Sequence, residues 1–133
     1  MSSSSRLLLC AAVLLAALVA AAATSPAYCV PGQAIPRRPL PNCRWYVASR
    51  TCGGVVPLLA VPEMKRRCCW ELAAVVPECR CKALRFMMDE IKMQPQECWY
   101  KQAEFAATVV TERECGLRTI HGGQFCYDLG AEY

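Results

Sequence analysis

Cys68-Cys69-Trp-Glu-Leu-Ala-Ala-Val-Val-Pro-Glu-Cys79-Arg80-Cys81 places four cysteines within fourteen residues, one pair adjacent and the other separated by a single arginine. Neighbouring residues of a helix diverge by about 100°, and joining adjacent cysteines to each other strains disulfide geometry. Cys68 and Cys69 therefore reach different elements, and the helix that carries them is stapled in two directions. The apolar spacing supports this helix: Met64, Cys68 and Leu72 recur every four residues, widened by Cys69, Ala73 and Val76, while Lys65, Arg66 and Glu71 are left to water. Pro62 and Glu63 suit its first turn, where proline's missing donor does no harm and a carboxylate meets the positive end of the helix dipole. Pro77 stops it.

At the amino terminus, Arg6 is followed by an apolar run from Leu7 to Ala23 that closes in Ala21-Ala22-Ala23 before Thr24. The run is at the short limit for a membrane span and ends in a small-residue cleavage pattern, so residues 1–23 read as a cleaved secretory signal peptide. The remaining 24–133 form one domain with ten cysteines and fourteen Lys and Arg against eleven Asp and Glu. So small an excess of positive charge does not point to nucleic acid. An even cysteine count in a short secreted chain argues for five disulfides, with pairings that spacing cannot choose.

Residues 24–42 hold Pro26, Pro31, Gly32, Pro36, Pro39 and Pro41 and read as an extended, proline-stiffened arm anchored by Cys29. Asn42 stands where an N-cap would, opening a short helix to Cys52 with Cys43, Tyr46, Val47 and Arg50 along one side, ended by Gly53-Gly54. The uncharged stretch Gly53-Gly-Val-Val-Pro-Leu-Leu-Ala-Val61 reads as a buried connector or an exposed recognition loop. A third helix is predicted from about Cys79 to Lys92, with Cys81, Leu84, Met88 and Ile91 inward and Arg80, Lys82, Arg85 and Asp89 on other faces. Met93-Gln94-Pro95 breaks it. A fourth runs from Pro95 to about Ala106, with Cys98, Gln102, Phe105 and Ala106 inward. After it, Gly116, Gly122 and Gly123 keep the tail irregular, tied by Cys115 and Cys126. The fold class is all-α: a small four-helix bundle stapled by five disulfides.

Catalytic patterns are missing. His121 is the single histidine, and no nucleophile-elbow, zinc-protease or phosphate-loop motif occurs. Asp89 and Glu90 are consecutive and point apart on a helix. No Cys-x-x-Cys pair suggests zinc, no cofactor is indicated, and Lys65-Arg66-Arg67 reads as a solvated helix face.

The cysteine order Cys29, Cys43, Cys52, Cys68-Cys69, Cys79-Arg80-Cys81, Cys98, Cys115, Cys126 resembles that of the cereal trypsin/alpha-amylase inhibitor family, within the plant seed prolamin superfamily. The likeness extends to Cys29-Val-Pro-Gly-Gln-Ala-Ile-Pro36, Cys43-Arg-Trp-Tyr-Val47, Arg50-Thr-Cys-Gly53, Glu63-Met-Lys-Arg-Arg-Cys-Cys69, Ala83-Leu84-Arg85 and Thr119-Ile-His-Gly122. This resemblance implies an all-α bundle paired Cys29–Cys79, Cys43–Cys68, Cys52–Cys98, Cys69–Cys115 and Cys81–Cys126. It also implies a secreted, monomeric seed protein, not an enzyme, that blocks an alpha-amylase or serine protease of insect or other origin, with no role at a membrane once the signal is removed.

Two surfaces follow from the resemblance. The protease-binding loop corresponds to Val56, Pro57, Leu58 and Leu59, with Leu58 where Gly-Pro-Arg-Leu carries the arginine that enters an acidic specificity pocket. Leu58 would leave the pocket's charge unpaired, so trypsin is an unsuitable target for this loop and an apolar pocket a better one. The amylase-binding surface corresponds to the arm Thr24, Ser25, Pro26, Ala27 and Tyr28, the segment Pro77-Glu78, and the turn Thr119, Ile120, His121 and Gly122. Glu78 stands where Pro-Ala-Tyr is expected, and sixteen residues separate Cys81 from Cys98 in place of a longer connection. Two other functions are carried forward. One is a lipid-transfer-like carrier with Phe86, Met87, Met88 and Ile91 around an apolar ligand. The other is a storage or allergen-like protein without inhibition.

Overall fold

The structure is a computed structural model that describes residues 4–13, 26–52, 59–90, 96–120 and 122–126. Residues 4–13 are helical and exposed. Four α-helices make the body: α1 (Pro41–Thr51), α2 (Val61–Ala73), α3 (Arg80–Asp89), preceded by a 3-10 turn over Pro77–Cys79, and α4 (Gln96–Thr108). The α1–α2 interface is the most extensive, and α4 packs on both α1 and α3.

Each helix buries part of the stripe that its spacing predicts: Cys43, Tyr46 and Val47 on α1, Met64, Cys68 and Leu72 on α2, and Leu84 and Met88 on α3, with Cys69 and Cys81 half-buried. On α4 the buried positions include Gln102 and Ala106, with Phe105 half-buried against the core. The ring of Tyr46 meets Phe105 edge to face at 5.6 Å between centroids, which joins α1 to α4. Five disulfides cross this core, Cys29–Cys79, Cys43–Cys68, Cys52–Cys98, Cys69–Cys115 and Cys81–Cys126, the pairs that the resemblance implies. Adjacent Cys68 and Cys69 thus hold α1 on one side and the segment after α4 on the other.

Several expectations change. Asn42 is not the N-cap of α1: the helix begins at Pro41, and the capping position falls to Leu40, buried and left-handed at φ 53°. A side chain from α2 does the capping. Spacing assigns Glu71 to water, yet its carboxylate accepts from the Asn42 backbone N–H at 2.9 Å, the Asn42 side-chain amide at 2.7 Å and the Cys43 N–H at 3.3 Å. A helix start leaves N–H groups without intrahelical partners, and here the neighbouring helix supplies the acceptor. Arg50 is exposed, not on the inner side, and its guanidinium sits over the Phe105 ring, 5.7 Å from the centroid.

The segment read as an extended arm is folded from Pro26 onward. The Cys29 N–H donates to Pro26 O, the Gly32 N–H to Ile35 O, and Ile35 is fully buried. Gly32 takes φ 91°, open to glycine at little cost. Helix α2 ends at Ala73, four residues before Pro77, so Val75 turns into the core while Val76 and Ala73 are exposed. Helix α4 extends to Thr108, and the chain then reverses with Cys115 N–H on Val109 O and Leu117 N–H on Val110 O. Ile91 and the Gly53-Gly54 stop lie outside the described residues.

Candidate functional site

Spacing assigns Arg80, between Cys79 and Cys81 of the opening stretch, to an outer face of its helix. It is 9% exposed and carries four hydrogen bonds. Its Nε donates to Leu72 O (3.2 Å) and Val75 O (2.9 Å), Nη2 to Ala73 O (3.1 Å), and Nη1 to Arg118 O (3.0 Å). Three of those acceptors lie at or just beyond the end of α2, where the dipole is negative; Leu72 O also accepts the Val75 N–H, while Ala73 O and Val75 O are past the last helical donors. A planar fork of donors suits such a cluster better than a point charge. Burial pulls the guanidinium pKa below its ordinary value, partly offset by the Glu78 carboxylate.

This arginine joins two of the three segments assigned to the amylase surface. Arg118 precedes Thr119, whose N–H donates to Gly123 O at 2.9 Å, while the Gly122 N–H returns to Thr119 O at 3.0 Å. Gly122 takes φ 71° in that turn, and Thr119 is buried beneath it. The third segment is brought in by Cys29–Cys79, with Cα atoms 5.2 Å apart and Cys29 Sγ 3.7 Å from Glu78 O. Cys81–Cys126 fastens the far side of the 119–123 turn. Pro26 to Tyr28, Pro77-Glu78 and the 119–122 turn are thereby anchored at consecutive residues, Cys79 and Arg80. Tyr28, Ala27 and Glu78 are exposed, and Pro26, Pro77 and Ile120 half-buried. Thr24, Ser25 and His121 lie outside the described residues.

The protease-loop positions fare differently. Val56, Pro57 and Leu58 lie outside the described residues, and Leu59 is half-buried against the core, which makes it an anchor of the loop's exit. Ala60 O then receives the Glu63 and Met64 N–H groups, opening α2. The loop's two flanks are tied by Cys52–Cys98 and Cys43–Cys68. On α2, Glu63 accepts from Arg66 and Arg67, whose guanidiniums hold its carboxyl at about 2, well below its ordinary value.

Met87 and Met88, named for an apolar ligand, are packed in the core, with Phe86 half-buried against it. Among the described residues no three His, Cys, Asp or Glu side chains form a group able to hold a metal ion, and no helix is long and apolar enough to cross a membrane.

A helical body crossed by five disulfides, with short segments pinned on its surface, defines a scaffold suited to rigid display. The chain belongs to the protease inhibitor/seed storage/LTP family, whose profile matches residues 10–126. It is 48% identical over 110 residues to alpha-amylase inhibitor 5 of Sorghum bicolor, covering 79% of this chain and 95% of that protein. It is 50% identical over 114 residues to the trypsin/factor XIIA inhibitor of Zea mays, covering 74% and 71%. The crystal structure of the bifunctional inhibitor ragi superposes with a TM-score of 0.69 at 47% identity, covering 77% of this chain and 97% of that one.

Glu71 and Arg80 are what sequence reasoning missed. For Arg80 the signal was faint, a charged residue beside the buried Cys79; Glu71 carried none.

Proposed function

We propose that the protein is a secreted, monomeric inhibitor of digestive hydrolases that binds an alpha-amylase or a serine protease by surface complementarity and performs no chemistry of its own. In this reading residues 1–23 are removed as a signal peptide, and 24–133 fold as one domain in an oxidising compartment, where disulfides persist. The observation that carries it is the anchoring of the arm, the Pro77-Glu78 segment and the 119–122 turn at Cys79 and Arg80. Relatives named as inhibitors of alpha-amylase and trypsin support it.

In the amylase mode the arm Thr24-Ser-Pro-Ala-Tyr28 enters a cleft lined by catalytic carboxylates, with its new terminal ammonium facing them. Glu78 opposes that approach by like charge. In the protease mode Leu58 fills an apolar specificity pocket.

The test is inhibition of insect and mammalian alpha-amylases, chymotrypsin and trypsin by the oxidised protein secreted from the full-length chain. Glu78→Gln is expected to strengthen amylase inhibition, and Leu58→Arg to add a trypsin site at the 53–60 loop. No inhibition of any hydrolase, with saturable fatty-acid binding instead, would overturn the proposal in favour of a carrier.

A further inference from the structure

The segment Pro36-Arg37-Arg38-Pro39 lies outside both surfaces described above. Two exposed arginines stand between two prolines, which fix φ near −65° on either side. The flanks are immobilised by burial: Ile35 is 0% exposed, Leu40 is 2% exposed, and Pro39 is buried. Behind them Cys29–Cys79 and Cys43–Cys68 fasten the chain covalently. Within this frame the chain bends at residues 37 and 38. Among the described residues neither guanidinium is paired with a carboxylate.

We propose that this bend is a second protease-binding segment, in which Arg37 enters the acidic specificity pocket of a trypsin-like serine protease. A pocket with a buried aspartate selects an arginine that can pair with it, and a bend held at both ends has little conformational entropy left to lose on docking. Arg37 fills the pocket rather than Arg38, because the bond after Arg38 is made to a proline nitrogen. Next to the bend, Arg38, Pro39, Pro41, Arg44 and Trp45 border a groove of about 550 Å³. Trp45 is 54% exposed there and offers the aromatic anchor that such interfaces favour. The inference goes beyond the proposed inhibitor function by assigning trypsin-like specificity to a segment separate from the Leu58 loop.

The experiment titrates trypsin with the oxidised protein secreted from the full-length chain and with Arg37→Ala, Arg37→Lys and Trp45→Ala variants. Disulfide content and melting temperature are checked for each. The parent is expected to compete with a small trypsin substrate. Arg37→Ala should weaken inhibition roughly a hundredfold or more, as loss of a desolvated charge pair does. Arg37→Lys should retain most of it, and Trp45→Ala should weaken it several-fold. No trypsin inhibition by a parent that still inhibits amylase would overturn this inference and leave the inhibitor reading standing. Equal inhibition by the parent and Arg37→Ala, or rapid cleavage after Arg37 with release of trypsin, would also overturn it.

Discussion

Replacing Arg80 with methionine keeps an unbranched apolar stem in place of the inner part of the side chain and removes every donor. The carbonyls of Ala73, Val75 and Arg118 then lose their partner, while Leu72 O keeps the Val75 N–H at 3.2 Å. A buried acceptor left unsatisfied costs about 1–3 kcal/mol, and these lie close enough to the surface for water to recover part of that. At about 1 kcal/mol for each of these three, the variant loses about 3 kcal/mol. For a domain near 100 residues, 1 kcal/mol moves Tm by about 4 °C, so Arg80→Met should melt about 12 °C below the parent, read by circular dichroism with all disulfides intact. Arg80→Lys keeps the charge but not the fork and should fall between the two. The amides of Thr119 and Gly122 should exchange faster in Arg80→Met, because their turn loses its tie to α3. A Tm within about 3 °C of the parent would refute the reasoning.

Glu71→Ala removes the acceptor at the start of α1 and should cost about 1–2 kcal/mol, measured by urea unfolding of the oxidised protein; no change would show that water caps α1 equally well. The Tyr46 hydroxyl donates to Glu114 Oε2 at 2.5 Å, and burial, with that carboxylate beside it, raises the phenol pKa above its ordinary 10.0. A raised folded pKa means this contribution is fully present below about pH 10 and is lost as pH climbs toward the folded value. Tm of the parent should therefore drop at strongly alkaline pH more than that of Tyr46→Phe; parallel curves would sink the idea. The Glu63 carboxyl should titrate near 2 by carboxyl-detected NMR, and Arg66→Ala with Arg67→Ala should move its midpoint up toward 4.5. Because its folded pKa is depressed, the Glu63 contribution is present above the ordinary carboxyl range and lost as pH falls through about 2. An unmoved midpoint would exclude the arginines as the cause.

Helix identity and the inward stripes of α1 to α4 were legible because an amphipathic helix writes its period into the order of residues. Met64, Cys68 and Leu72 needed no partner to be read as one face. The constraint that Cys68 and Cys69 part company was equally local, since it follows from the angle between neighbours on a helix.

The fates of Glu71, Arg80 and residues 26–40 were decided by tertiary structure. A periodicity argument assigns a charged side chain to water by default, because it cannot see a second element's unsatisfied backbone. Glu71 is held by the first N–H groups of α1, twenty-eight and twenty-nine residues away in sequence. Arg80 is held by the end of α2 and by Arg118, thirty-eight residues away. The proline-rich segment looked extended because prolines oppose helix and sheet, but they permit the tight turns that bury Ile35 and Leu40. Thus the paired cysteines that open the helix argument specified, from sequence alone, how many directions the scaffold is stapled in. Only the folded chain shows that the arginine between Cys79 and Cys81 is the post to which the 119–122 turn is tied, since its donors are satisfied by backbone that the sequence places far away.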